Sequence, residues 1–253
     1  MNGALAAGFW GLVGGSALLI GAAIGYAAKL PQRLIAAIMA VGAGVLISAV
    51  AFDLIDEAYA RGGFDATALG FLGGALAYTI ANVVISRRGA RHRKRSGSNA
   101  KQSLPPADSG SALAIAVGAL LDGIPESIVI GVSLLQGTGV SLVTVVAVFL
   151  SNVPEGLSSA AGMRRAGHGP GYIFGVWGGI ALLSGLAALI GNLALAHAPA
   201  DVIAGVTAVA AGAILAMLVD TMIPEATEEA PEYSGLITVA GFLLAFVLSK
   251  AGG

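Results

Sequence analysis

Eight stretches of this chain, at about 4–28, 34–56, 66–87, 111–136, 139–164, 171–196, 202–223 and 234–250, are apolar along nearly their whole length. A helix needs roughly 20 such residues to cross the hydrocarbon core of a bilayer, so each run is long enough to span one. The spacing predicts an all-α polytopic membrane protein with eight transmembrane helices, forming a single transmembrane domain over residues 1–253. Composition agrees: 57 % of the residues are hydrophobic and 11 % are charged, against about a quarter charged in ordinary soluble domains. Such a chain cannot cover its surface with polar groups, and lipid is its expected solvent. The 38 glycines suit close packing of membrane helices. The first run has no basic segment before it and reads as a retained span rather than a cleaved signal. With no cysteine, disulfides and thiolate metal sites are excluded.

The connections hold most of the charge and proline: KLPQR, YARGGFD, QGTG, AGHGPG, HAPAD and the acidic PEATEEAPEYSG. Residues 88–110 differ, being basic and then Ser/Pro-rich, and are expected to be a disordered cytoplasmic loop. Lys and Arg collect on the cytoplasmic side of membrane proteins. With the basic loop inside and eight spans threaded, the inside holds Lys29, Arg33, Arg87, Arg88, Arg91, Arg93, Lys94, Arg95, Lys101, Arg164 and Arg165, and the outside only Arg61 and Lys250. Both termini then lie outside the cytoplasm. A topology anchor accounts for the basic loop, with contact to anionic lipid as the alternative.

A short internal repeat is visible. Residues 43–58, AGVLISAVAFDLIDEA, align with 211–226, AGAILAMLVDTMIPEA, with identities at Ala43/Ala211, Gly44/Gly212, Ile55/Ile223, Glu57/Glu225 and Ala58/Ala226. These are spans two and seven, which the threading runs in opposite directions. Inverted repeats are common in transporters, whose substrate site lies between them near the midplane.

Acids occur where they are costly. DGIPES (122–127) lies inside span four and SNVPEG (151–156) inside span five. A charged carboxylate at mid-membrane costs about 2.5–3.5 kcal/mol on insertion scales. Asp122 and Glu126 are four residues apart and share a helix face, as do Ser151 and Glu155. If the two helices face one another, three carboxylates and the oxygens of Ser151 and Asn152 converge. Pro125 and Pro154 each deprive a carbonyl one turn earlier of its helical partner, and such carbonyls are tolerated at membrane depth where they line a cavity or bind an ion. A divalent cation would neutralise these acids. Alternatively the acids carry protons, or hydrogen-bond to Asn82, Asn192 or Ser184 and only hold helices together. No basic residue lies in a span interior to pair with them.

With these motifs and this topology the chain resembles the ZIP family of metal-ion transporters over nearly its whole length. The endings of spans two and seven, DLIDEA and DTMIPEA, look like that family's too. The resemblance implies that helices 1–3 and 6–8 form an inverted repeat around helices 4–5, with a metal site between the central pair and zinc, iron or manganese as usual substrates. Glu126 and Glu155 match the family's Pro-Glu motifs and carry over as ligands. The family commonly opens the span-four motif with His-Asn and closes it with Gly. Here Asp122, Gly123 and Ser127 stand in those places. Where span five usually begins with His followed by an acid or amide, this chain has Ser151 and Asn152. Span six, IALLSGLAALIGN, lacks the acid that many two-metal members place there, and the loop histidine cluster is reduced to His92. His92, His168 and His197 all fall outside span interiors and read as solvated surface residues. Imidazole favours zinc, whereas carboxylate, amide and carbonyl oxygens suit harder ions such as manganese, magnesium and calcium.

The expectation is therefore a divalent metal-ion transporter moving the ion into the cytoplasm by alternating access. The ion is zinc by family, with manganese, iron or broad selectivity favoured by the ligands. The metal site comprises Asp122, Glu126, Ser151, Asn152 and Glu155. A metal-gated channel and a non-transporting ZIP-like membrane protein are the alternatives. An enzyme is not expected, because no His-Glu-x-x-His, Gly-x-Ser-x-Gly or paired catalytic Asp pattern occurs. The expected partners are the ion, the bilayer of a bacterial inner or plasma membrane and a second copy in a homodimer. No prosthetic group and no nucleic acid are expected. Asp53, Asp56 and Glu57 read as the solvated outer end of span two, and Asp220 and Glu225 join an acidic cytoplasmic loop.

Overall fold

The computed structural model describes residues 3–87, 109–136, 140–228 and 232–251. All regular structure in these residues is helical. In chain order the elements are α1 (Gly3–Ala27), α2 (Gln32–Ala49), α3 (Ile55–Ile85), α4 (Ser109–Ser133), α5 (Leu142–Arg165), α6 (Pro170–Leu195), α7 (Ala200–Met217), α8 (Ile223–Glu228) and α9 (Ser234–Ala251). A π-helical turn, Val50–Leu54, joins α2 to α3, and a second, Leu218–Met222, joins α7 to α8. Six helical stretches among the described residues are long and apolar enough to cross a membrane: Gly3–Ala27, Gln32–Ile85, Leu142–Arg165, Pro170–Leu195, Ala200–Glu228 and Ser234–Ala251. This is the helix content of an integral membrane protein. Most of the expected basic loop, residues 88–108, lies outside the described residues, and helix α4 already begins at Ser109.

One expected boundary is different in kind. YARGGFD reads as a loop between two spans, and the helix is indeed broken within it, but the connection is a single residue, Gly63, with helix on both sides. Gly63 takes φ +71°, the left-handed region where a side chain is strained, and kinks the helix there. Glu57 and Arg61 pair across one turn at 3.2 Å just before the kink, which supports helix up to it. Gly167 ends α5 in a comparable way. It adopts φ +93°, its N–H bonds to Arg164 O, and His168 N–H reaches Met163 O, the paired bonds of a Schellman cap.

The outside of the bundle is apolar and the inside holds the polar groups. Leu69, Leu72, Leu76 and Ile80 on α3 and Leu236, Val239, Leu243 and Val247 on α9 are exposed at helical spacing, forming stripes that suit contact with lipid. Helix α5 is the most enclosed: from Ser151 to Met163 every residue except Val153 is buried. It packs against α1 and α2, and α4 packs against α6 and α7, with α4 and α5 also touching each other. Three further pairs complete the bundle, α3 on α7, α1 on α6 and α9 on α2.

These outer pairs touch through backbone. A Cβ on Gly44 of α2 would overlap the carbonyl oxygen of Thr238 on α9, and one on Gly241 of α9 would overlap that of Val41 on α2. The same reciprocal arrangement joins α7 and α3, where Gly212 faces Phe71 O and Gly74 faces Val209 O. Helices approach this closely only through small residues. The offset in sequence that separates Gly44 from Gly212 also separates Val41 from Val209, and Val50–Leu54 from Leu218–Met222. The second π turn thus falls at the aligned position of the first.

Candidate metal centre

The five residues singled out from the sequence are all buried: Asp122, Glu126 and Ser151 at 1 % exposure, Glu155 at 3 % and Asn152 at 4 %. Asp122 and Glu126 lie on α4, and Ser151, Asn152 and Glu155 on α5. Helix continues through Pro125 and Pro154 in both. Pro154 is seated by α2 and the second π turn. A Cβ on Gly42 would come within 2.6 Å of the proline Cγ and 3.2 Å of Met222 Cε. The glycine leaves room for the ring, and Glu155 follows it directly in the enclosed part of α5.

Hydrogen bonds orient the polar groups. Tyr78 Oη, buried on α3, donates to Asp122 Oδ1 at 2.7 Å. Asn152 Nδ2 donates to the Gly14 carbonyl of α1 at 3.0 Å, which leaves its Oδ1 as an acceptor. Ser151 Oγ donates to Val148 O in its own helix at 2.9 Å, so its lone pairs remain able to accept. Asn192 of α6 donates to Gly131 O of α4 at 3.0 Å. Each central helix is therefore tied by an asparagine–carbonyl bond to a flanking one, α5 to α1 and α4 to α6. At Gly123 an added Cβ would have Ser184 Oγ at 3.7 Å and Ile180 Cγ2 at 3.9 Å, an ordinary contact.

Three carboxylates expected to converge do not form one group. Among the described residues no three His, Cys, Asp or Glu side chains gather closely enough to hold a metal ion. One oxygen of Asp122 is engaged by Tyr78 of α3. Oxygen ligands of other kinds, the side chains of Asn152 and Ser151 and main-chain carbonyls, lie in the same helices.

A fourth buried acid is a correction to the sequence reading. Glu225, expected in a solvated acidic loop, is 3 % exposed and accepts a hydrogen bond of 2.9 Å from Ser158 Oγ. Ser158 itself is fully buried and stands three residues after Glu155, on the same side of α5. The only signals for Glu225 were its alignment with Glu57 and its place after a proline; Ser158 and Tyr78 carried none beyond being polar in apolar runs. His168 also departs from expectation. It is buried and stacks on Tyr172, ring centroids 4.5 Å apart. Asp53 is no bare helix end, because Ser249 Oγ donates to its Oδ1 at 2.6 Å. Asp220 accepts a corresponding bond from Asn82 Nδ2 at 3.1 Å, so each π turn carries an aspartate bound to a side chain of another helix.

Chemically, the enclosed faces of α4 and α5 present acids, an amide and hydroxyls with no thiolate or imidazole among them. That set binds protons or hard to borderline cations. No protein-family model matches the chain, and no curated protein does.

Proposed function

We propose that the protein is a ZIP-like transporter that carries a divalent metal cation across the membrane into the cytoplasm through a site between α4 and α5. One observation carries this reading: Asp122, Glu126 and Glu155 are buried on two touching helices at the centre of an apolar bundle, in a part of the chain with no Lys or Arg between residues 102 and 163. Acids so placed are expensive, and a cation that enters and leaves gives them a use. Glu126 and Glu155 supply the charge, and Asn152 and Ser151 supply neutral oxygens. Asp122 joins them when Tyr78 releases or shares its carboxylate. Glu225, bonded to Ser158 one turn beyond Glu155, is the next acid toward the cytoplasmic end.

Counting eight spans requires the helix Gln32–Ile85 to cross twice, divided at Gly63, with α4 as a further span. The matched glycine contacts, Gly44 with Gly241 and Gly212 with Gly74, and the matched π turns support an inverted repeat of helices 1–3 and 6–8 around the central pair. A repeat of that kind suits alternating access, in which one bundle rocks against another about a fixed site. Both chain ends then lie outside the cytoplasm. The oxygen ligands favour manganese or broad selectivity over strict zinc specificity.

The test is uptake into proteoliposomes of Zn²⁺, Mn²⁺, Fe²⁺, Cd²⁺, Mg²⁺ and Ca²⁺, with the Glu126→Ala/Glu155→Ala variant as control. Saturable uptake of at least one ion that the double variant abolishes is the expected result. No uptake of any ion by folded protein would refute transport, and fast non-saturating flux would replace the transporter with a channel.

A further inference from the structure

Away from the acids, three cations share one cavity. A space of about 220 Å³ opens where α1 ends, α2 begins and α5 ends, and Lys29, Arg164 and Arg165 line it together with Leu30, Ile35 and Ala161. None of its lining residues is acidic, and none of the three cations is in an ion pair among the described residues. Lys29 and Arg165 are exposed, while Arg164 is partly buried. Arg164 is also held in place. Its Nη1 donates to the Tyr26 carbonyl and its guanidinium lies 5.7 Å from the centroid of the Tyr26 ring. That fixes one edge of the guanidinium and leaves other N–H donors of its fork for a ligand.

Three like charges around one small space repel each other, and an anion placed among them turns that repulsion into attraction. The geometry points to a binding pocket for a phosphate group. Arginine recognises phosphate with two parallel N–H bonds, and lysine adds a point charge. The apolar wall of Leu30, Ile35 and Ala161 gives the pocket a side that suits the glycerol and first methylenes of a lipid. The cations also lie on the face that the Lys and Arg bias assigns to the cytoplasm, where basic pockets between spans take anionic headgroups. A ligand there would bridge the α1–α2 turn to the helix that carries Glu155. The pocket stands apart from the metal reading, because no candidate metal ligand lines it.

The source of the phosphate is settled in two arms with the full-length protein. In the first, nanodiscs of phosphatidylcholine doped with phosphatidylglycerol are analysed by native mass spectrometry for phosphatidylglycerol retained on the protein. In the second, inorganic phosphate is titrated calorimetrically against the protein in phosphatidylcholine alone. The variant Lys29→Gln/Arg165→Gln changes two exposed side chains and leaves Arg164 on Tyr26. A control, Arg61→Gln/Lys250→Gln, removes two cations elsewhere. A basic residue near the surface contributes a factor of about five in binding, so the pocket variant should bind about 30-fold more weakly in whichever arm shows binding. The control should match wild type. Loss in the first arm identifies a lipid headgroup, and loss in the second a free phosphate. Binding unchanged in the pocket variant, or absent in both arms for wild type, overturns the proposal.

Discussion

Tyr78 Oη lies 2.7 Å from Asp122 Oδ1, and both groups are buried. This bond ties α3 to the helix that carries Glu126, and it bears on whether Asp122 is a ligand or a brace. A hydrogen bond to a charged group is worth about 1.5–3 kcal/mol net. Tyr78→Phe should therefore lower thermal stability in detergent by an amount in that range. If Asp122 contacts the ion once that bond is gone, the variant should lower the KM for uptake about tenfold, and Asp122→Asn should abolish that gain in the Tyr78→Phe background, because the two side chains are coupled. Effects that add fully would show that Tyr78 braces the fold independently of the site. Equilibrium unfolding and initial uptake rates of the two single variants and the double variant decide it.

Ser158 and Glu225 form the second buried polar pair, at 2.9 Å. Ser158→Ala takes a donor from a buried carboxylate and should cost about 1–3 kcal/mol. Glu225→Gln keeps an acceptor for Ser158 while removing the charge. Its stability should stay close to wild type, but uptake should fall at least tenfold if the ion passes Glu225. Normal uptake by a stable Glu225→Gln protein would assign the residue to packing alone. Melting curves set beside proteoliposome uptake separate the two effects.

Adjacent glycines on α3 give a sharp packing test. A Cβ at Gly74 would overlap Val209 O, whereas at Gly73 nothing lies within 4 Å. Gly74→Ala should destabilise by about 1–3 kcal/mol or more, as overpacking does. Gly73→Ala should be neutral or slightly stabilising, since alanine favours helix. Gly212→Ala and Gly44→Ala should behave like Gly74→Ala. Thermal shift assays of the four variants in detergent would show it, and a tolerated Gly74→Ala would mean that α3 and α7 sit farther apart than described.

The elements were legible because membrane helices are written in their apolar runs, and the burial of Glu126 and Glu155 followed from acids placed inside them. What escaped depends on contacts distant in sequence. YARGGFD has loop composition, and the break it announces is present, but one left-handed glycine absorbs the whole change of direction, so helix reaches into the segment from both sides. PEATEEAPEYSG reads as solvated because acids usually are, whereas Glu225 is buried and bonded to Ser158 on another helix. The π turns leave no compositional mark, and five identities between 43–58 and 211–226 cannot weigh as much as the reciprocal glycine contacts around them. The bond from Tyr78 to Asp122 is likewise invisible to spacing arguments, because it joins residues 44 apart in sequence.

Ion choice offers the last test, and it turns on Asp122. With carboxylate, amide and hydroxyl oxygens on the enclosed faces of α4 and α5, the site should prefer harder cations, and manganese should compete well with zinc. Asp122→His replaces a carboxylate on α4 with an imidazole. Asparagine can be added beside it, because Gly123 has space for a Cβ with Ser184 Oγ at 3.7 Å. The change also removes the acceptor of the Tyr78 bond, so some stability should be lost, and Tyr78→Phe in the same chain separates that loss from the change in ligand. Imidazole is a better ligand for zinc than for manganese, and the zinc-to-manganese ratio of uptake should rise by about tenfold, near 1.4 kcal/mol of discrimination. Competition uptake with both ions present measures the ratio directly. A ratio that does not move in a folded, active variant would place the ion out of reach of residue 122 and leave Glu126 and Glu155 to hold it with Asn152 and Ser151.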